Sequence, residues 1–328
     1  MMIHRMVSVI IPVYQVSDYV ERCVRSVMEQ TYTDLECVIV DDATKDDSIA
    51  KCETLIKLYD GPIRFRIIHH EQNRGLSASR NTGAEVATGD YLYYLDSDDY
   101  ISPNCIERLI SAVYDNPGVE MVQGYYNIIK EGGTKNHLGR LEYPIKTSSI
   151  EETRKEFYKN RNIYVSLWNK LLKRSFVEDY RLYCREGLVF EDLLWVFYLM
   201  KHLKTVYICK DITYYYCIRQ GSISVEAKPE SVVCYAIIFD EIFHNLTVGR
   251  EREEIEGFLY YFIKRYVSYV KIAPALKDTI RLYRAKAEEF HCWYVCVVLF
   301  VIGVIGHLGN PSGFLEWMNG IRWKLKKR

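Results

Sequence analysis

Residues 7–14 (VSVIIPVY) constrain the fold more than any other stretch of this chain. The run is apolar almost throughout and has no alternation of polar positions. A strand of that kind must be covered on both faces, as parallel strands are. The residues that follow predict the covering helices. Ser17 is placed to cap a helix that puts Val20, Cys23, Val24 and Val27 on one stripe. Residues 35–40 predict a second strand ending in Asp41 and Asp42, and Ile49, Cys52, Leu55 and Ile56 the next helical face. Residues 64–69 predict a third strand, 77–88 a helix stopped by Gly89, and 91–95 a fourth strand followed by Asp96-Ser97-Asp98-Asp99. Pro103 suits the first turn of a helix carrying Ile106, Leu109, Ile110 and Val113, and 119–125 closes the series.

This alternation implies an α/β fold, an open and mostly parallel sheet with right-handed crossovers. Ligands of such sheets bind outside the carboxyl ends of the strands, where Asp41/Asp42 and the 96–99 cluster both fall. The 43 basic and 43 acidic side chains cancel, which argues against a nucleic-acid binder with a basic surface. Ten cysteines without CxxC or zinc-finger spacing, and a start without a signal-peptide pattern, predict a cytoplasmic protein with reduced thiols. Two carboxylates one residue apart can hold a hard divalent cation and a ribose hydroxyl; a run of surface aspartates is also an ordinary turn. Adjacent strand residues point to opposite faces, so His69 and His70 are not expected to share a metal. The absence of a Cys/His quartet disfavours zinc.

Together, VSVIIPVY, QTYTDLECVIVDDATKDDS, NRGLSASRNTGAEVATGDYLYYLDSDD, WNKLLKRSF and FEDLLW, continuing to YYYCIRQGSIS, resemble inverting glycosyltransferases of family 2 with the GT-A fold. The resemblance covers roughly the first two thirds of the chain. It implies a nucleotide-sugar donor, UDP in particular, whose base bonds Asp41 beside Pro12, Val13 and Tyr14. It places Gly75 close to the donor, and Arg80 under the nucleotide or in an ion pair with Asp96. Asp96 and Ser97 lie near the ribose, Asp98 on Mn²⁺ or Mg²⁺, and Asp99 on a bound water or at the next helix cap. Asp42, Asp46 and Asp47 are read as caps or turn formers. In the acidic pair of FEDLLW, Asp192 is the expected general base and Glu191 an acceptor or loop contact; two acids at a helix start would suit the helix dipole equally. Trp168, Asn169 and Lys170 are expected on the acceptor side, with Trp168 open to a core role, and Arg219 and Ser222 in a loop over the diphosphate or in a solvated turn.

The expected organisation is a transferase domain over 1–225, a helical extension over 226–289, and an apolar then basic segment over 290–328. Within the first, a Gly-rich loop covers 131–140, Ser149-x-x-Glu152 forms a capping box for a helix through Lys159, and 168–176 and 191–202 are largely helical. Strand-like pieces fall in 205–217. No charged residue stands between Glu289 and Glu316, and basic and aromatic residues then mix to Arg328. That pattern suits peripheral attachment to an anionic cytoplasmic leaflet; a helix that completes the core is the competing reading. The expected activity is transfer of a hexose-type sugar to a glycan or lipid-linked acceptor in surface-polysaccharide synthesis. The alternatives are a catalytically weak nucleotide-sugar-binding membrane scaffold and a metal-dependent nucleotidyltransferase. The latter needs a basic triphosphate loop after the first strand, which PVYQVSDYV does not supply.

Overall fold

The computed structural model describes residues 5–130, 133–136, 141–219, 229–258, 261 and 285–292. Contacts divide the chain into two units: Met1–Glu156 with Arg161–Ser222, and Phe157–Asn160 with Ile223–Arg328.

The first unit carries one sheet. Its parallel half comprises β1 (Val7–Val13), β2 (Leu35–Asp41), β3 (Arg64–His69) and β4 (Tyr91–Tyr94), in the order β3-β2-β1-β4. Every side chain of β1 is buried, as its unbroken apolar run requires. β3 is the edge and exposes Arg64, Arg66 and His69, charges that blunt further strand pairing. The other half is mixed: β9 (Lys170–Lys173) lies antiparallel between β4 and β6 (Met121–Lys130). β10 (Val206–Cys217) then runs parallel to β6, and β5 (Tyr100–Ile101) pairs antiparallel with β10. β7 (Gly133–Asn136) pairs β6, and β8 (Ile145–Lys146) pairs β10. The expected Gly-rich loop thus contains a hairpin strand, and 205–217 is one strand whose register shifts between Ile208 and Tyr214.

The crossover helices are α1 (Val20–Met28), α2 (Ser48–Leu58), α3 (Leu76–Val86) and α4 (Cys105–Asp115). α1 buries the predicted stripe, but Tyr19 occupies its N-cap position. Ser17 instead receives the Lys51 ammonium and donates to Asp47. Gly89 does not end α3, which stops at Val86; a Cβ there would lie 2.8 Å from the Met6 carbonyl and the Ser8 amide, so Gly89 permits close passage beside β1. Residues 168–176 are not one helix, since β9 precedes α6 (Arg174–Asp179). α5 (Ile150–Arg154) begins with Ser149 Oγ accepting from the Glu152 amide (3.2 Å) and continues into a π-helical turn, Lys155–Asn160. Glu152 turns to Ser148, so only one half of the box forms. α7 (Glu191–His202) matches its predicted bounds.

In the second unit, α8 (Pro229–His244) buries Ile238, Phe239, Ile242 and Phe243, while Phe157 and Tyr158 pack on Phe258 at 5.9 Å. No helix among the described residues is long and apolar enough to cross a membrane. Residues 293–328, most of the apolar and basic segment, lie outside the described residues, as does Ser222.

Candidate active site

The strand order reverses between β1 and β4, which creates a crevice at their carboxyl ends. β4 leaves the sheet early: Ile10 pairs Tyr94, and the Ile10 carbonyl accepts from Leu95 N at 3.0 Å. β1 runs three residues further beside β2 alone, to Val13 opposite Asp41. The Val13 carbonyl accepts from Asp42 N at 3.0 Å on the β2 side. By alternation Pro12 faces the vacated β4 side, where its missing N–H costs no ladder bond. Val13 is committed to the core, so of the three expected pocket residues Tyr14 presents its side chain, 39% exposed.

Register places Asp41 opposite His69 on β3. His69 Nδ1 donates to Asp41 Oδ2 (2.9 Å), and Thr44 N donates to Oδ1 (2.9 Å). Asp42 points inward and is almost fully buried. It accepts from His70 Nδ1 and Arg74 N on one oxygen and from Asn73 Nδ2 and Gly75 N on the other, each at 2.8 Å. It is therefore neither a helix cap nor a solvated turn former; it holds the Asn73–Gly75 loop onto the sheet. Gly75 enters α3 at φ +89°, a left-handed conformation that favours glycine, with open space where a Cβ would stand. Asp46 does act as a turn former, accepting from Thr44 and Ser48. The histidines turn to different aspartates, as opposite faces require.

Arg80, on α3, is 3% exposed and joins two parts of the site. One Nη donates to Asp96 Oδ1 at 2.7 Å and the other to Glu191. Both anions hold the guanidinium charged, its pKa raised against the opposing effect of burial. Burial pushes the Glu191 carboxyl up to about 7; Arg80 opposes this and Asp192 adds to it. Glu191 is thus an internal partner of Arg80 rather than a loop contact, and its neighbour Asp192 is partly exposed at the start of α7. Asn81, one residue after Arg80, makes two 2.8 Å bonds with the Cys184 backbone. Arg74 pairs with Glu186 at 3.1 Å. These contacts fasten the segment before α7 to α3, and Phe190 enters α7 at φ +66°. A non-glycine residue held there is strained backbone, which concentrates at functional sites.

The acidic cluster divides its tasks. Asp98 Oδ2 accepts from Arg219 Nε at 2.7 Å, and the Asp98 carboxyl is raised by burial and by Asp96 against that cation. Asp99 is fully buried and accepts from Tyr214 OH (2.6 Å) and Cys217 N (2.7 Å), which ties the loop to β10. It is not the α4 cap, a position Asn104 holds, and both its oxygens are turned to the protein interior. Ser97 is buried. Among the described residues no three His, Cys, Asp or Glu side chains form a metal cage. Trp168 stacks on Tyr214 at 4.5 Å and packs edge-on against Tyr126, and Asn169 bonds Thr213, Tyr93 and the Tyr125 carbonyl inside the sheet. Lys170 is fully buried. An open groove of about 950 Å³ lies beside α1, Tyr100 and Tyr215, and its lining residue Arg22 donates to the Asp98 carbonyl at 3.0 Å.

The geometry brings Asp96, Arg80 and Glu191 together and puts Asp192 beside them. Asp42, Asn73 and Asn81 were not singled out from the sequence as positioning groups; the spacing of asparagines around the Gly75 loop was the available signal.

An α/β sheet with an acidic crevice at its switch point is the architecture of nucleotide-binding transferases of the GT-A type. The crystal structure of Staphylococcus aureus TarS 1–349 in complex with UDP-GlcNAc shares the fold, with a TM-score of 0.68 at 19% identity over 87% of this chain and 80% of that one. The family model described as glycosyl transferase family 2 matches residues 8–181, and the chain belongs to that family. The glycosyltransferase GlyA of Streptococcus pneumoniae is 30% identical over 274 residues, 78% of this chain but 38% of GlyA, so the match spans well under half of that relative. GlyG of the same organism is 28% identical over 225 residues, 66% of this chain and 72% of GlyG.

Proposed function

We propose that the protein is an inverting hexosyltransferase that moves a sugar from a nucleotide-diphosphate donor of the UDP type to a hydroxyl of a glycan or lipid-linked acceptor, in surface-polysaccharide synthesis. One observation carries this reading: Arg80 binds Asp96 and Glu191 at once, which supports a shared locus for Asp96 at the end of β4 and the candidate base Asp192, next to Glu191 in the chain. The TarS complex with UDP-GlcNAc supports the choice of donor class.

Asp41 has one donor on each carboxylate oxygen and keeps lone pairs for a uracil N–H. Tyr14 flanks that position. Asp96 faces the ribose from its hold on Arg80. Asp98 would hold a hard divalent cation through its carboxylate, whose Oδ2 also takes Arg219. A cation with one protein carboxylate fills its shell with phosphate and water oxygens, as Mg²⁺ or Mn²⁺ does. When bound, such a cation supplies positive charge to the departing diphosphate. Asp192 takes the proton of the acceptor hydroxyl as that oxygen attacks the anomeric carbon. One displacement, with no carboxylate nucleophile, inverts the centre. Trp168, half-buried, borders the acceptor approach; Lys170 is fully buried, so the expected acceptor-side role does not extend to it.

UDP binding by calorimetry, with and without Mn²⁺, and turnover by UDP release over a panel of nucleotide sugars test this reading. Asp98→Asn should lose the cation-dependent part of UDP affinity. Asp192→Asn should keep UDP affinity and lose turnover by at least about 10²-fold; near-normal turnover excludes it as base. We read the apolar and basic residues 290–328 as a peripheral membrane attachment, on sequence pattern alone. Deleting them should abolish cosedimentation with anionic vesicles; unchanged sedimentation excludes that role.

A further inference from the structure

Three strand ends meet at Asp41. It closes β2 in one register row with Val13 of β1 and His69 of β3. The loops after β1 and β2 both turn through left-handed non-glycine residues, Gln15 at φ +52° and Ala43 at φ +54°. Such backbone is strained and persists only where its surroundings hold it. Here a bond between the loops holds it: Gln15 N donates to Thr44 Oγ1 at 2.8 Å, and Thr44 Oγ1 donates on to Asp46 at 2.8 Å. The turn at Ala43 brings Thr44 N to Asp41 Oδ1, so one arm of the carboxylate is fixed from within its own loop.

The other arm is fixed from another strand. His69 ends β3, and its Nδ1 lies 2.9 Å from Asp41 Oδ2. An ionised carboxylate has no proton to give, so Nδ1 carries it, in the neutral ring and in the charged ring alike. The carboxylate torsion of an aspartate is broad; one donor leaves it loose, and two donors on different oxygens fix its plane. β3 is the edge of the sheet, and the His69 side chain is 56% exposed. Core packing therefore does not account for the placement of this ring, whereas the bond to Asp41 does.

We propose that His69 is a positioning residue for Asp41 and, through it, a determinant of base selectivity. This rests on the reading of Asp41 as the carboxylate that accepts from the uracil N–H. Uracil presents a proton at N3, and cytosine presents a lone pair at the same position. A carboxylate held in one plane accepts from the first and repels the second. A carboxylate that turns freely keeps only part of that discrimination. Nucleotide choice thereby extends to the edge strand, from which no donor contact is otherwise drawn.

Calorimetry of UDP and CDP binding to the full chain tests this, in wild type, His69→Ala, His69→Asn and Asp41→Ala. In His69→Ala, UDP affinity should fall about 10-fold, as for one hydrogen bond to a charged group, and the preference for UDP over CDP should fall with it. His69→Asn, whose amide nitrogen stands near the place of Nδ1, should restore most of both. Equal losses for UDP and CDP in His69→Ala, or no recovery in His69→Asn, reduce the ring to a structural role and overturn the proposal. Wild-type affinity and preference in His69→Ala, when Asp41→Ala has lost UDP affinity, overturn this proposal alone. Wild-type UDP affinity in Asp41→Ala overturns the reading of Asp41 and this proposal with it, as does a wild type that binds UDP and CDP equally.

Discussion

A buried lysine leaves a signature in stability, and its sign is fixed. The unfolded chain keeps the amine protonated up to about 10.4, whereas folded Lys170 gives up its proton at about 7. Between those limits the unfolded state binds more protons, so the destabilisation due to Lys170 fades as pH rises. Lys170→Met should therefore stabilise the fold more at about pH 6 than at about pH 9, by a difference on the order of a few kcal/mol. Urea denaturation at the two pH values measures it, and equal gains would mean that the folded amine titrates normally. Asp41 and Asp42 show why sequence alone gives part of a site at this scale. Both close the same strand and carry the same chemistry, yet one is half-buried beside His69 and the other is buried under four donors. Which is which depends on His69 and His70, 28 residues away in each pair, and no local pattern reports that pairing.

Elements that are buried on both faces, or amphipathic over several turns, were legible, as β1, α1 and α7 show. Short elements were not. The KLLK of β9 is too brief for periodicity to separate strand from helix; its antiparallel neighbours β4 and β6 decide the matter. Gly89 was legible as a glycine that matters but not for the right reason, because a helix stop and a close approach look alike in sequence. The close approach makes a prediction that the helix stop does not. Gly89 N donates to Ser8 Oγ at 2.9 Å, and its carbonyl accepts from Arg174 Nε at 2.6 Å, so the backbone is held from both sides. An alanine Cβ would sit 2.8 Å from three atoms of the first strand region. Gly89→Ala should cost about 1–3 kcal/mol by overpacking, although φ there is ordinary. A thermal midpoint equal to wild type would show that the amino ends of β1 and β4 can part without loss.

For the transferase unit as a whole, the parallel half follows from the first hundred residues, as does the location of ligand chemistry at its carboxyl ends. The mixed half does not follow, because β9, β6 and β10 are joined by long connections and pair out of sequence order. What unites the halves at the site is Arg80. Asp96 leaves the parallel half after β4, and Glu191 begins the helix that precedes β10 of the mixed half. The guanidinium is buried and has an anion on each arm. Losing one anion leaves the cation half compensated, whereas losing both strands an ionised group in the interior. Asp96→Asn and Glu191→Gln should thus be coupled: the double variant should be less stable than the summed singles by about 0.5–3 kcal/mol. Chemical denaturation of the four proteins measures the cycle. If the costs add to within about 0.3–0.5 kcal/mol, Arg80 holds each acid independently and the halves are joined elsewhere. If they couple as expected, the latch that assembles the site also maintains the fold around it.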